Sequence, residues 1–119
     1  MVFKLNHLHL KTTDPERTAT FYVEALGATI LGRIGPRGYR LNLHGVNLHV
    51  TTLAPHQRRE QVYGMEHFAL DTDDLDVTVT KLEANGARVL EEMVSVNGRR
   101  ICFLEGPDRV QLEIIEVKG

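Results

Sequence analysis

Histidines and a carboxylate recur at matching places along this 119-residue chain, and both side-chain types bind divalent transition metals. His7 and His67 open two similar segments, and His49 and Glu113 stand late in the two halves of the chain. This donor set suits Zn, Ni, Co, Mn or Fe(II), whereas a purely structural zinc site more often uses cysteine. An octahedral ion held by these four residues keeps two adjacent positions open for water or a chelating substrate. The residues therefore predict one divalent metal ion per site, with a catalytic role.

The matching places belong to an internal repeat with an offset of 60 residues at its start. Three pairs of segments align: 7–14 (HLHLKTTD) with 67–74 (HFALDTDD), 27–31 with 86–90, and 48–52 with 112–116. In a pseudo-twofold fold, equivalent positions approach the axis. We therefore expect two ligands from each half to converge on one point.

Each half predicts the element order βαβββ. Alternation from Lys4 to Lys11 predicts a strand with His7 and His9 on one face. Asp14 is the predicted cap of the first helix, and Asp74 or Asp73 that of the second. The first helix is predicted to run from Pro15 to Leu26 and the second from about residue 75 to 84, and the later strands are predicted at 28–34, 39–43, 46–52, 88–94, 99–104 and 110–117.

The two halves are expected to share one α+β domain over residues 1–119. Module one spans about 1–54 and module two about 65–119, and the polar stretch 53–64, with Pro55, is the linker between them. The single Cys102 lies in an apolar run and is predicted to be a buried strand thiol. The acidic run from Asp71 to Asp76 lacks the spacing of a calcium loop and indicates a strand end with a helix cap.

Composition excludes several classes of function. A formal net charge of −2 does not provide the basic field of a nucleic-acid binder, and 42% hydrophobic against 25% charged residues is an ordinary globular balance. No apolar run approaches the roughly 20 residues that span a bilayer, and the first residues lack a signal-peptide pattern. We expect a cytoplasmic protein with a small-molecule substrate, and neither nucleic acid nor membrane as a partner.

Four segments together resemble the vicinal oxygen chelate superfamily, which includes glyoxalase I, methylmalonyl-CoA epimerase, extradiol dioxygenases, fosfomycin-resistance thiol transferases and bleomycin-binding proteins. They are 7–14 (HLHLKTTD), 21–27 (FYVEALG), 66–70 (EHFAL) and 106–113 (GPDRVQLE). The resemblance implies paired βαβββ modules that form a curved, eight-stranded mixed sheet around a metal, commonly in a homodimer. It assigns His7, His67 and Glu113 to the ligand triad of the metal-dependent members. His49 matches a fourth position, which is Glu in glyoxalase I and Gln in the epimerase.

His49 favours one class of reaction. An extradiol dioxygenase needs three open positions on Fe(II) for a bidentate catecholate and O₂, and ligation by His49 would leave two. We therefore favour a lyase or isomerase that moves a proton next to a carbonyl. The alternatives are the Fe(II) dioxygenase, a fosfomycin-type thiol transferase and a metal-free drug-binding resistance protein.

Two residues are candidates for the general base, and two arginines are candidates for contacts to the substrate. A metal-bound imidazole has no free lone pair, so the base is predicted to be Glu113, through a loosened metal contact, or His9, on the same strand face as His7. Arg40 and Arg100 are the predicted contacts to an anionic group of the substrate, because they match across the repeat.

Overall fold

The computed structural model describes residues 2–118, apart from the side chain of Asp108. In chain order the elements are β1 (Phe3–Lys11), α1 (Pro15–Leu26), β2 (Thr29–Ile34), β3 (Gly38–Leu43), β4 (Val46–Thr51), β5 (Gly64–Thr72), α2 (Leu75–Ala84), β6 (Arg88–Val94), β7 (Arg100–Glu105) and β8 (Gln111–Glu116). A single 3₁₀ turn, Pro107–Arg109, joins the last two strands.

The chain divides into two compact units. The N-terminal unit is His7–Glu66, and the C-terminal unit comprises the residues up to Asn6 and those from His67 onward. The strand order is β2-β3-β4-β1 in the N-terminal unit and β5-β8-β7-β6 in the C-terminal unit. In both units one strand pair is parallel, β1 with β4 and β5 with β8, and the other pairs are antiparallel.

Helix α1 covers one face of the N-terminal unit. Its buried Ala19 and the partly buried Tyr22 and Val23 recur at helical spacing and pack on Leu41 and Val50 of the sheet. Leu8 and Leu10 of β1 face the same core, so His7, His9 and Lys11 point to the other face. The face without the helix is therefore the one that carries the polar side chains of β1, and all three are buried.

The C-terminal unit has an apolar cluster on each face of its sheet. Helix α2 packs through Leu75 on Cys102, Leu104 and Ile114. The opposite face holds a second cluster, formed by Ala69, Ile101, Phe103 and Ile115. The register pairs Phe103 with Glu113 and Ala69 with Glu113, so Glu113 belongs to this second face.

The repeat extends to the turn between the first strand and the helix of each unit. Asp14 Oδ1 accepts a hydrogen bond from the backbone N of Arg17, and Asp74 Oδ1 accepts one from Val77, each at 3.1 Å. These bonds satisfy amides that the first helical turn leaves unpaired. Thr12 and Thr18 share a hydrogen bond of 2.8 Å, and their equivalents, Thr72 and Thr78, share one of 2.7 Å.

The repeat also extends to an irregularity in the sheet. The β2–β3 register shifts between Ile30 and Gly32, and the β6–β7 register shifts between Val89 and Glu91. The extra residues, Leu31 and Leu90, are the pair that the aligned segments place opposite each other.

The predicted α+β class is confirmed, with a mixed sheet of eight strands and two helices. Asp74, and not Asp73, caps the second helix. The curvature of the sheet stays a prediction. None of the helices among residues 2–118 is both long and apolar enough to cross a membrane.

Candidate metal centre

Three histidines lie together on the helix-free face of the N-terminal unit. His9 pairs with His49 in the parallel β1–β4 ladder, and His7 precedes His9 by two residues on the same strand face. The rings of His7 and His49 are stacked, with centroids 3.9 Å apart and an interplanar angle of 13°. One nitrogen from each of His7, His9 and His49 lies within 4.8 Å of the other two. His7 and His9 are buried and His49 is half-buried, so the cluster is screened from solvent.

Thr51 holds the ring of His9. Its Oγ1 lies 2.8 Å from Nε2 of His9, and both side chains are buried. No sequence motif pointed to Thr51. The signal was its position two residues after His49, on the same face of β4.

The C-terminal unit brings together His67 and Glu113. Nε2 of His67 lies 3.1 Å from Oε1 of Glu113, and the two side chains are 3% and 10% exposed. The ring of His67 also meets Phe103 edge to face, with centroids 5.4 Å apart. This contact fixes the plane of the imidazole beside the carboxylate. An imidazole nitrogen and a carboxylate oxygen, both buried and adjacent, are a donor pair that transition metals accept.

The registers of the two parallel ladders are equivalent. His9 pairs with His49 in one unit, and Ala69 pairs with Glu113 in the other, so His7 and His67 each stand two residues before the residue that pairs with the late ligand. In both units the two predicted ligands lie on the face away from the helix. The donor set thus fits a divalent cation in chemistry, burial and placement within each unit.

A family model described as the Glyoxalase/Bleomycin resistance protein/Dioxygenase superfamily matches residues 4–114. The chain belongs to this superfamily. The lactoylglutathione lyase of Salmonella typhimurium is 28% identical, over 97% of this chain and 93% of that protein. Human mitochondrial methylmalonyl-CoA epimerase is 25% identical, over 88% of this chain and 68% of that protein. The resemblance inferred from the residues is confirmed.

Solved structures of superfamily members show the same fold. Methylmalonyl-CoA epimerase from Mycobacterium tuberculosis aligns with a TM-score of 0.68 at 18% identity, over 97% of this chain and 88% of that chain. A superfamily member from Vibrio splendidus aligns with a TM-score of 0.70 at 16% identity, over 96% of this chain and 100% of that chain. At these identities the likeness concerns the fold alone.

In the present chain, the two arginines predicted to bind substrate lie in different surroundings. Arg40 pairs with His49 across β3 and β4, so it shares a sheet face with the histidine cluster, and its guanidinium lies over Gly32. Arg100 lies on the helix-covered face of β7 and forms a two-pronged ion pair with Asp76 at 2.8 and 3.3 Å. The structure does not bring Arg100 to the His67–Glu113 pair.

The supposed equivalence of Arg40 and Arg100 was wrong. Arg40 pairs with His49, whereas the residue that pairs with Glu113 from the antiparallel side is Phe103. The hairpin that precedes β7 is longer than the equivalent hairpin that precedes β3. None of the aligned sequence segments lies in β3 or β7, so the alignment could not show this difference. In the C-terminal unit an apolar ring therefore stands where the N-terminal unit has a guanidinium.

A second buried polar cluster lies further along the histidine face. The Nζ of Lys11 donates to Gln57 at 3.0 Å and to Gln61 at 3.2 Å, and it lies 3.7 Å from Oε1 of Glu66. Burial is the main reason that the pKa of Lys11 falls below its ordinary value, although Glu66 raises it. Sequence reasoning missed this cluster, although alternation already placed Lys11 on the face of His7 and His9. The cluster anchors residues of the loop between β4 and β5 to β1.

Cys102 is a buried strand thiol, as predicted, whereas His44 and His56 are exposed. Cys102 is fully buried in β7, and burial raises the pKa of its thiol to about 11, which makes it a poor nucleophile. His44 is exposed and its Nε2 donates to the carbonyl of Leu26 at 2.6 Å, at the end of α1. His56 is exposed in the loop between β4 and β5.

Proposed function

We propose that His7, His49, His67 and Glu113 bind one divalent cation, and that the protein is a metal-dependent lyase or isomerase for a small oxygen-chelating substrate. The equivalent registers of the two parallel ladders carry this proposal, because each unit sets two metal-binding side chains at the same positions of its sheet. Membership of the superfamily supports joining the two pairs at one ion, since the resemblance assigns His7, His67 and Glu113 to the triad of the metal-dependent members.

The reaction is proposed to be proton transfer at a carbon next to a carbonyl. The names of the two relatives contain lactoylglutathione and methylmalonyl-CoA. Both compounds are thioesters in which the carbon next to the carbonyl carries an acidic hydrogen. The bound cation would supply a Lewis acid that stabilises the negative charge developing on the substrate oxygen. Ligation by four protein side chains leaves room for a bidentate substrate but not for O₂ as well, so a ring-cleaving dioxygenase is the weaker alternative.

Glu113 is the proposed general base. It is the one predicted ligand that is a carboxylate, and a carboxylate has a second oxygen to receive the proton while the first faces His67. The other candidate, His9, hydrogen-bonds Thr51 through Nε2, and it is not carried as the base because it lies outside the four-residue ligand set. Arg40 is proposed to bind an anionic group of the substrate, because it shares the sheet face of His49. Arg100 is not carried into the proposal.

The first experiment measures turnover and proton exchange by the metal-loaded protein in D₂O. One sample receives methylglyoxal with glutathione, to detect lactoylglutathione, and a second receives methylmalonyl-CoA. In at least one of the two samples, we expect product to form or solvent deuterium to appear at the carbon beside the carbonyl. Oxygen uptake with catechols and Fe(II), without product or deuterium exchange in either sample, would contradict the proposal.

The second experiment separates the base from the ligand set. Glu113→Gln should lower kcat by about 100-fold or more, the usual size of a general-base contribution. The exposed Glu92→Gln is the matched control and should keep the wild-type rate. Metal content is measured on both variants. A Glu113→Gln protein that holds metal and turns over at the wild-type rate would exclude Glu113 as the base.

We also propose that the protein forms a homodimer, as the family resemblance implies. Sedimentation equilibrium should give twice the chain mass of 13.4 kDa at micromolar concentration. A monomer at that concentration would contradict the proposal.

A further inference from the structure

The His9–Thr51 pair is not required by the repeat. In the equivalent positions of the C-terminal unit stand Ala69 and Ile115, which belong to an apolar cluster. The fold thus accepts two apolar side chains where the N-terminal unit has a buried imidazole and a buried hydroxyl. Burying a polar pair in place of an apolar one brings no general gain in stability. A ligand that His9 contacts would explain why a histidine stands there.

The three imidazoles already stand near the spacing of metal ligands. Zn–N distances of about 2.0–2.1 Å put two nitrogens on one ion roughly 3–3.5 Å apart. The ligand nitrogens of His7, His9 and His49 lie within 4.8 Å of one another, so only small side-chain rotations would be needed to reach that spacing. The ring of His9 is inclined at 61° to that of His7 and 72° to that of His49, so it adds a second ring orientation to that of the stacked pair.

Thr51 supplies the feature that usually accompanies a histidine ligand. Such a histidine donates its other ring N–H to an oxygen, which sets the tautomer and the plane of the ring. A proton on Nε2 of His9, donated to Thr51 Oγ1 at 2.8 Å, leaves the lone pair on Nδ1 for a cation.

We propose that His9 is a metal ligand, and that His7, His9 and His49 form a three-histidine site that binds a transition metal without help from the C-terminal unit. The inference rests on the part of the proposed function that makes His7 and His49 ligands. Three neutral imidazoles select Zn²⁺, Cu²⁺, Ni²⁺ or Co²⁺ and exclude Mg²⁺ and Ca²⁺, which need oxygen donors. The complete protein then has two overlapping ligand sets, with His7 and His49 common to both.

The test removes the ligands of the C-terminal unit and asks whether metal binding survives. The double variant His67→Ala/Glu113→Ala is titrated with Zn²⁺ against a chromophoric chelator. The expected result is one bound ion per chain with a Kd higher than that of the wild type. Adding His9→Ala should weaken this binding by about tenfold or more, and Thr51→Val, which keeps the shape but removes the hydroxyl, should weaken it by about tenfold. His44→Ala, at an exposed histidine outside the cluster, is the matched control and should change nothing.

Spectroscopy provides a readout that a merely structural role for His9 would not move. Cu²⁺ bound to the double variant should show coupling to three imidazole nitrogens by pulsed electron paramagnetic resonance, and to two after His9→Ala. Circular dichroism confirms folding of each variant. If the alanine double variant does not fold, His67→Leu/Glu113→Leu, which also carries no donor atoms, replaces it.

The outcomes separate this inference from the proposed function. No binding by the folded double variant, or binding that His9→Ala leaves unchanged, would overturn the three-histidine site. Wild-type affinity in the double variant, lost on His9→Ala, would support the three-histidine site and overturn the four-ligand centre.

Discussion

Lys11 places a cationic group inside the N-terminal unit, where it meets one carboxylate and two amide oxygens. Its side chain is 2% exposed and that of Glu66 is fully buried, and Gln57 donates to the second oxygen of Glu66 at 3.1 Å. Arg59 lies 3.9 Å from the same carboxylate. A buried pair of this kind adds little net stability over apolar replacements, but removal of one partner leaves the other charge poorly compensated.

Replacement of Lys11 by methionine should therefore destabilise the protein by about 3 kcal/mol, because Glu66 remains buried with fewer donors. Urea unfolding measures the change. Adding Glu66→Gln to Lys11→Met should restore part of the loss, whereas the exposed Lys4→Met should stay within about 0.5 kcal/mol of the wild type. A Lys11→Met protein as stable as Lys4→Met would contradict the buried ion pair.

The same lysine predicts a pH dependence of stability. Burial lowers the pKa of Lys11 below 10.5, so between that lowered pKa and 10.5 the unfolded chain binds more protons at this site than the folded one. The contribution of Lys11 to the free energy of unfolding should rise with pH through this window, by at most about 1.4 kcal/mol per pH unit. The wild type should gain stability relative to Lys11→Met as the pH approaches 10.5. A constant or falling difference would contradict the assignment.

The two arginines give a matched pair of variants for substrate binding. Arg40→Ala should raise KM for an anionic thioester substrate by roughly 10- to 100-fold, the value of a charge-assisted hydrogen bond. Arg100→Ala should leave KM unchanged, because its guanidinium is paired with Asp76 on the helix-covered face. Steady-state kinetics on both variants measures KM. A raised KM in Arg100→Ala with an unchanged KM in Arg40→Ala would place the substrate on the helix-covered face of the sheet.

At the scale of elements, the repeat is strongest where strand, turn and helix meet. Asp14 and Asp74 cap the two helices with bonds of the same length, and a threonine pair braces each turn. The aligned segments 7–14 and 67–74 contain the capping aspartates and one threonine of each pair. Local hydrogen bonds thus account for the part of the repeat that is easiest to detect in the sequence.

Asp14→Ala and Asp74→Ala should each destabilise the protein by about 1 kcal/mol, the usual cost of losing a helix cap. Asp73→Ala is the control, since Asp73 is exposed and Asp74 is the cap of the helix. Thermal unfolding of the three variants measures the effect. Equal losses in Asp73→Ala and Asp74→Ala would contradict the observed cap.

Alternation and caps predicted the helices and most strands to within a residue or two, since these signals are local. They also predicted that His7 and His9 share a face of β1, and the structure places Leu8 and Leu10 on the opposite face, toward the helix. The equivalence of residues in β3 and β7 was not predictable in the same way, because it depends on the length of the preceding hairpin, which differs between the halves. The Lys11–Glu66 pair escaped notice for a related reason: its partners come from a loop without periodicity.

At the scale of the whole molecule, two similar units have diverged in their polar residues. The late ligand position is His49 in one unit and Glu113 in the other, and Ala69 stands at the position equivalent to His9. The predicted ligands of the N-terminal unit are both imidazoles, whereas those of the C-terminal unit are an imidazole and a carboxylate. In the proposed centre, Glu113 would be the group that binds the cation and also moves a proton.

Metal affinity of the wild type and of His67→Ala tests the central claim most directly. Protein purified without chelators should carry about one equivalent of divalent metal per chain by elemental analysis. His67→Ala should raise the Kd by about 100-fold or more, while His56→Ala, at an exposed histidine of the loop after β4, should leave it unchanged. Wild-type affinity in His67→Ala would contradict the four-ligand centre.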